Sequence, residues 1–152
     1  MLKFHNYDIV FQEIPDEVTL AVNISNCPNR CTGCHSQRLW EDTGEILDEK
    51  LLALLLEKYG NAVTCICFMG GDGSPDDVLR LAKFVKKYDK KIAWYSGNST
   101  LHKNALTCFD YIKLGKYIEK LGGLKKPTTN QRFYRIENDT MIDITEKFWK
   151  NY

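Results

Sequence analysis

Three cysteines fall within eight residues, in Asn26-Cys27-Pro28-Asn29-Arg30-Cys31-Thr32-Gly33-Cys34-His35, at C-x3-C-x2-C spacing. Pro28 stiffens this segment and Gly33 permits unusual dihedrals, so it reads as a loop able to wrap thiolates around one centre. Nothing directs secretion and a chain of this length needs no disulfide staples, which makes the close-set cysteines metal or cluster ligands. A structural zinc site needs four closed ligands, and the fourth would come from His35 or from the distant Cys65, Cys67 or Cys108. Three thiolates on a cubane 4Fe–4S cluster hold three irons and leave the fourth open, where a substrate can bind. The spacing departs from the C-x2-C pairs of zinc ribbons; this favours the cluster and leaves zinc as the other reading.

Three more groups could do chemistry: Gly70-Gly71-Asp72-Gly73, Ser96-Gly97-Asn98 and Lys113-Leu114-Gly115. Gly70 and Gly71 have no side chain, so their backbone can approach a ligand closely, and Asp72 adds a carboxylate. The plainer reading is a glycine-rich turn leading to a helix cap at Ser74. Cys65 and Cys67 stand two apart in an apolar run and would share one face of a strand as small core hydrophobes, and Cys108 reads as core filling too.

The elements that must carry these residues alternate strand and helix. Tyr7–Glu13 and Val18–Ile24 read as strands around the turn Ile14-Pro15-Asp16-Glu17, the second running into the cysteine loop. A helix is expected over Asp48–Tyr59, with Asp48 as N-cap and Gly60 as its stop. A strand over Ala62–Met69 follows, then a helix from Ser74-Pro75-Asp76-Asp77 with Ser74 as N-cap. Its trailing Lys83, Lys86, Lys87, Lys90 and Lys91 read as a solvated face complementing the helix end. Strands at 92–95 and 109–114 bracket a short helix near Thr100–Leu106. Strands at Gln131–Glu137 and Thr140–Ile144 and a helical turn near Glu146–Lys150 close the chain. Such alternation predicts a parallel sheet, and it puts all four chemical features at the carboxyl ends of successive strands, the edge where β/α folds build their sites.

Length bounds the architecture. A closed eight-unit β/α barrel takes roughly 250 residues, and this chain has 152. The expectation is one α/β domain over 1–152, a truncated, open (partial) β/α barrel of about five parallel-strand units, with an N-terminal edge strand and a short C-terminal strand extension. At 43% hydrophobic and 27% charged, the composition is that of a globular protein. The longest aliphatic run, Leu51–Leu56, is too short to span a bilayer, and Met1-Leu2-Lys3-Phe4-His5-Asn6 lacks a secretory h-region, so a cytoplasmic protein with no membrane contact is expected. Residues 1–76 hold 5 Lys/Arg and 12 Asp/Glu, whereas residues 77–152 hold 16 and 8. That split is not taken as a nucleic-acid signal; Lys116, Lys120, Lys125, Lys126, Arg132 and Arg135 read as a basic surface for an acidic partner.

C-x3-C-x2-C after a first strand, with Gly-Gly-Asp after the next, resembles the radical S-adenosylmethionine (SAM) superfamily. The string Asp110-Tyr111-Ile112-Lys113-Leu114-Gly115…Gly122-Gly123-Leu124…Thr129-Asn130-Gln131-Arg132-Phe133-Tyr134 narrows the likeness to the activating proteins of anaerobic (class III) ribonucleoside-triphosphate reductases, from about Phe4 to Ile136. The resemblance implies Cys27, Cys31 and Cys34 as ligands of a 4Fe–4S cluster whose fourth iron is chelated by SAM. It implies SAM contacts from Gly70, Gly71, Asp72, Ser96, Gly97 and Lys113. Many members carry Glu where Asp72 stands. An aromatic commonly precedes the third cysteine; here it is Gly33, and His35 would take over the stacking on adenine. Gln37-Arg38 stands where a Pro-containing pair is common in near relatives.

The implied activity is reductive cleavage of SAM to a 5′-deoxyadenosyl radical, which makes a glycyl radical on the C-terminal loop of the reductase large subunit. Flavodoxin or a similar one-electron donor would reduce the cluster, and no side chain need act as acid, base or nucleophile. Activation of another glycyl-radical enzyme, or other small radical SAM chemistry, is the alternative within this class. A non-catalytic zinc-binding interaction module is the alternative from a different one.

Overall fold

A computed structural model describes residues 2–25 and 44–149. Cys27, Cys31, Cys34 and His35 lie outside the described residues. Eight strands form one sheet: β1 (Lys3–Val10), β2 (Thr19–Ile24), β3 (Glu45–Ile46), β4 (Cys65–Met69), β5 (Lys91–Tyr95), β6 (Tyr111–Leu114), β7 (Arg132–Glu137) and β8 (Thr140–Asp143). Their order is β3-β1-β2-β4-β5-β6-β7-β8. Strands β2, β4, β5 and β6 run parallel, while β1, β3, β7 and β8 pair antiparallel with their neighbours at the two flanks. Helices α1 (Glu49–Tyr59) and α2 (Pro75–Val85) supply the crossovers to β4 and β5.

Period-2 alternation sends successive side chains to opposite faces, so each inner strand feeds two cores. One face gathers Leu20, Val22, Ile24, Ile66, Phe68, Ile92, Trp94 and Ile112 against Leu52, Leu56, Val78 and Leu81 of the helices. The other holds Cys65, Cys67, Ala93, Tyr111 and Phe133, covered by Ile14, Leu124, Ile144 and Phe148. Cys65 and Cys67 do share a strand face as small buried groups, and Cys108 is buried as well.

Several local expectations are corrected. The first strand starts four residues before Tyr7 and ends three before Glu13, its start extended because Lys3 and Phe4 pair with Ile46 and Glu45, a two-residue strand too short to show periodicity. Beyond Val10 the chain bends, and Ile14 is fully buried in the second core. Asp48 caps α1 as expected, accepting from Leu51 N at 2.9 Å. Gly60, however, is right-handed (φ −55°) and leads into a 3-10 turn over Gly60–Ala62 that delays the next strand to Cys65. Ser74 occupies the cap position of α2 but makes no side-chain cap bond, so Pro75 and the acids Asp76 and Asp77 start that helix. The helix expected near Thr100–Leu106 reduces to a 3-10 turn, Ala105–Thr107; three apolar residues in seven give no stripe that would repay helix nucleation. The last turn is a 3-10 turn over Thr145–Phe148. Among the described residues, no helix is long and apolar enough to cross a membrane.

Candidate functional site at the carboxyl edge of the parallel strands

The ends of β2, β4, β5 and β6 lie side by side because those strands are parallel and in register, Asn23 beside Met69 and Met69 beside Tyr95. Ser25, the last described residue before the cysteine loop, is buried at this edge and its N–H donates to Lys3 O at 2.9 Å.

Next to it the chain leaves β4 through two left-handed glycines, Gly70 (φ +104°) and Gly71 (φ +91°). A Cβ on Gly71 would come 2.5 Å from Val78 Cγ2 and 3.2 Å from Ile24 Cδ1. The missing side chain therefore lets α2 start directly against the sheet edge. Gly70 O accepts from Trp94 Nε1 at 2.7 Å and Gly71 O from Ser74 N at 3.0 Å, leaving each carbonyl one further lone pair.

Asp72 ties β4 to β5. Its Oδ1 accepts from Ser96 Oγ at 2.5 Å and from Asn98 Nδ2 at 3.4 Å, and its Oδ2 accepts from Gly97 N at 2.7 Å. Ser96 Oγ also accepts from Asn98 N at 3.1 Å. Charge-assisted bonds of this kind are the strong ones, and they make Asp72 the organiser of the Ser96-Gly97-Asn98 turn. The glycine turn also leads into the helix, with Ser74 N donating to Gly71 O and Ser74 O accepting from Asp77 N, while the carboxylate reaches across to the next strand.

Lys113 ends β6 nearly buried, 9% exposed. Its Nζ donates to Gly115 O at 2.9 Å and Ser96 O at 3.1 Å and lies 5.6 Å from the centre of the Tyr95 ring. Of the expected SAM-contact residues, Gly70, Gly71, Asp72, Ser96, Gly97 and Lys113 are thus brought to one edge, and Asp72, Ser96, Gly97 and Lys113 are linked by hydrogen bonds. Asp110 is at the opposite end of β6, its carboxylate accepting from Ile92 N at 2.9 Å.

The string Thr129-Asn130-Gln131-Arg132 packs against this edge from β7. Gln131 Nε2 donates to Gly115 O at 3.2 Å, Asn130 Nδ2 to Lys116 O at 3.1 Å, and Thr129 Oγ1 to Gly122 O at 2.9 Å. These bonds hold the left-handed Gly115 (φ +104°) and the loop after it. Beside them opens a cleft of about 460 Å³ whose walls include Gly97, Asn98, Gly115, Lys116, Arg132 and Tyr134. Neither this cleft nor the role of Trp94 is expected from the sequence, because the residues come from three separate segments. The expected basic surface is partly engaged: Arg135 Nε lies 2.9 Å from Glu137, and Lys125 Nζ donates to Gln12 at 3.1 Å.

Whether the described thiols can hold a metal is a question of protonation. Burial pushes the Cys65 thiol far up, with the charge of Glu17 adding to it, and burial does the same to Cys67. Cys67 Sγ contacts Met69 Sδ at 3.4 Å, and the charge of Lys113 only partly offsets its burial. Among the described residues, no group of three or more His, Cys, Asp or Glu stands together as a metal site. The donor chemistry of a cluster is therefore absent from the sheet interior.

A family model described as a 4Fe-4S single cluster domain matches residues 17–136. The match starts just ahead of β2, includes the cysteine loop and the whole carboxyl edge, and ends in β7. No curated protein and no solved structure matches the chain.

Proposed function

The chain belongs to the 4Fe-4S single cluster domain family, and from that premise we propose that it is a radical SAM activase of an anaerobic ribonucleoside-triphosphate reductase. It is an iron–sulfur protein. In this reading Cys27, Cys31 and Cys34 hold the cluster. Cys65, Cys67 and Cys108 are enclosed in the two cores, and the raised pKa values of Cys65 and Cys67 keep them as thiols. When bound, the cluster supplies the electron that cleaves SAM and so starts hydrogen abstraction from a glycine of the reductase.

The observation that carries the reading is the Asp72 bridge: one carboxylate pins a turn 24–26 residues further along, beside two left-handed glycines and directly next to the strand that leads into the cysteine loop. SAM carries an ammonium, a sulfonium and a carboxylate. The carbonyls of Gly70 and Gly71 and the negative charge of Asp72 suit the cations, and Lys113 suits the carboxylate. His35 would pack on the adenine. The chain's own part is to bind and orient SAM and to keep water and competing hydrogens away. The open-sided barrel reading gives a protein loop access, and flavodoxin or a similar donor would deliver the electron in the cytoplasm.

The test is anaerobic reconstitution with iron and sulfide, then assay for methionine and 5′-deoxyadenosine under reductant. A brown protein that cleaves SAM, and a Cys31→Ala variant that does not, are expected. A colourless protein with tightly held zinc, or a Cys31→Ala variant as active as the parent, overturns the reading. Mixing with the class III reductase should give a glycyl radical by electron paramagnetic resonance; a radical formed only on another glycyl-radical enzyme would move the partner and keep the chemistry.

A further inference from the structure

The cleft beyond the Asp72 turn has a chemistry of its own. Two cationic side chains, Lys116 and Arg132, stand on its walls, and no carboxylate lines it. A third cation, Lys113, sits behind its floor, where its Nζ is bonded to Gly115 O and Ser96 O. Two acidic groups engage residues of its walls. Asp72 has its carboxylate bonded to Ser96, Gly97 and Asn98. Asp143 is 3.7 Å from Arg132 Nη1, with both side chains more than 40% exposed, a pairing of little strength. The cleft is therefore a locus of positive potential next to the edge, and a low-dielectric wall focuses such a field.

Its neutral walls are equally informative. Leu114 and Ile118 give apolar surface, Tyr134 gives an aromatic ring and a phenol, and the amides of Asn98 and Asn130 bring donors and acceptors together. Burial raises the Tyr134 pKa, with Asp143 adding to it, so its O–H stays a donor at neutral pH. A volume of about 460 Å³ is far more than a bare anion fills and lies within the roughly 300–1,000 Å³ of small-molecule sites. SAM itself bears two cationic centres, which this cleft has no acidic lining to receive.

We propose that the cleft binds a nucleoside phosphate, with its phosphates on Lys116 and Arg132 and its base against Tyr134. Arg presents a planar fork to phosphate oxygens and Lys a point charge, while side-chain amides match the paired donor and acceptor pattern of a base edge. The ligand touches the Ser96-Gly97-Asn98 turn from the side opposite Asp72. The site needs neither the cluster nor the activase reading to be correct.

The experiment is calorimetric titration of the reconstituted full chain with ATP, in parallel with tripolyphosphate, adenosine and SAM. Saturable ATP binding is expected, weakened about tenfold or more when Lys116 and Arg132 are both changed to Gln, since the phosphates then lose both charged partners. Tyr134→Leu should weaken ATP and leave tripolyphosphate unchanged. Both positions of the double variant are surface-exposed, and an unchanged thermal midpoint and cluster absorbance show that it folds. The proposal is overturned by the absence of saturable ATP binding, or by equal ATP affinity in the double variant. Tripolyphosphate binding as tightly as ATP would leave only an adventitious anion site. Displacement of ATP by SAM one for one would assign the cleft to SAM and overturn it as well.

Discussion

Two glycines eleven residues apart predict opposite outcomes for the same substitution. Gly71→Ala forces an L side chain into φ +91° and a Cβ to 2.5 Å from Val78 Cγ2; the backbone alone costs about 1–3 kcal/mol, and the clash adds to it. Gly60 is right-handed with nothing within 4 Å of a new Cβ. Gly60→Ala should therefore stabilise by about 0.5–1 kcal/mol. Urea unfolding midpoints read both, and the two shifts must differ in sign. At Asp72, replacement by Asn puts an amide where Ser96 Oγ, Gly97 N and Asn98 Nδ2 all donate. The variant should lose about 1–3 kcal/mol of stability, read by urea unfolding, and on the proposed function it should bind SAM more weakly while keeping cluster absorbance, as titration and visible spectra would record. The sequence marks Gly70, Gly71 and Asp72 as unusual. It does not reveal that the carboxylate reaches Ser96, because that contact exists only once β4 and β5 are adjacent.

At the scale of elements, strands β4, β5 and β6 each place a polar aromatic or sulfur group in the second core. Burial pushes the phenols of Tyr95 and Tyr111 well above the ordinary value, with Cys67 and Glu17 respectively as the next cause. The unfolded chain releases these protons near pH 10 while the folded chain retains them. Stability from these groups is thus complete below about pH 10 and is lost as pH climbs toward the folded values. Unfolding monitored across that range should show a steep alkaline loss, reduced in Tyr111→Phe. The raised thiols of β4 make a companion prediction: Cys65 and Cys67 should resist iodoacetamide in the native protein and react after denaturation, as mass spectrometry would show. The alternation in Cys65-Ile66-Cys67-Phe68 makes this face-sharing readable in advance, whereas the two-residue β3 and the uncapped Ser74 carry no periodic signal.

For the molecule as a whole, the described residues by themselves build two cores, one on each face of the sheet. Hydrophobic burial on two faces of one sheet is the dominant favourable term. Removing the cluster with a chelator should therefore leave circular dichroism and cooperative unfolding in place, unlike a small zinc domain that unfolds without metal, and on the proposed function it should abolish SAM cleavage. The charge split along the chain also changes meaning in three dimensions. The acid-rich half supplies β1 to β4 and the base-rich half β5 to β8, joined at the β4–β5 pair in the middle of the sheet. Within the base-rich half, Arg135 pairs with Glu137 on its own strand, while Lys116 and Arg132 converge on the cleft.

Sequence alone determined the parts governed by local rules. Period-2 runs specify strands and Asp48 specifies a helix start, because each depends on neighbours within a few residues. It also placed the chemical features at strand ends, since alternation of strand and helix forces parallel pairing. Tertiary structure decided which of those ends bond to one another, that Lys113 is held beneath Gly115 and Ser96, and that Asn98, Lys116, Arg132 and Tyr134 enclose one cleft. Those facts depend on register between strands far apart in the chain, and a hydrogen bond 24 residues long leaves no trace in local pattern.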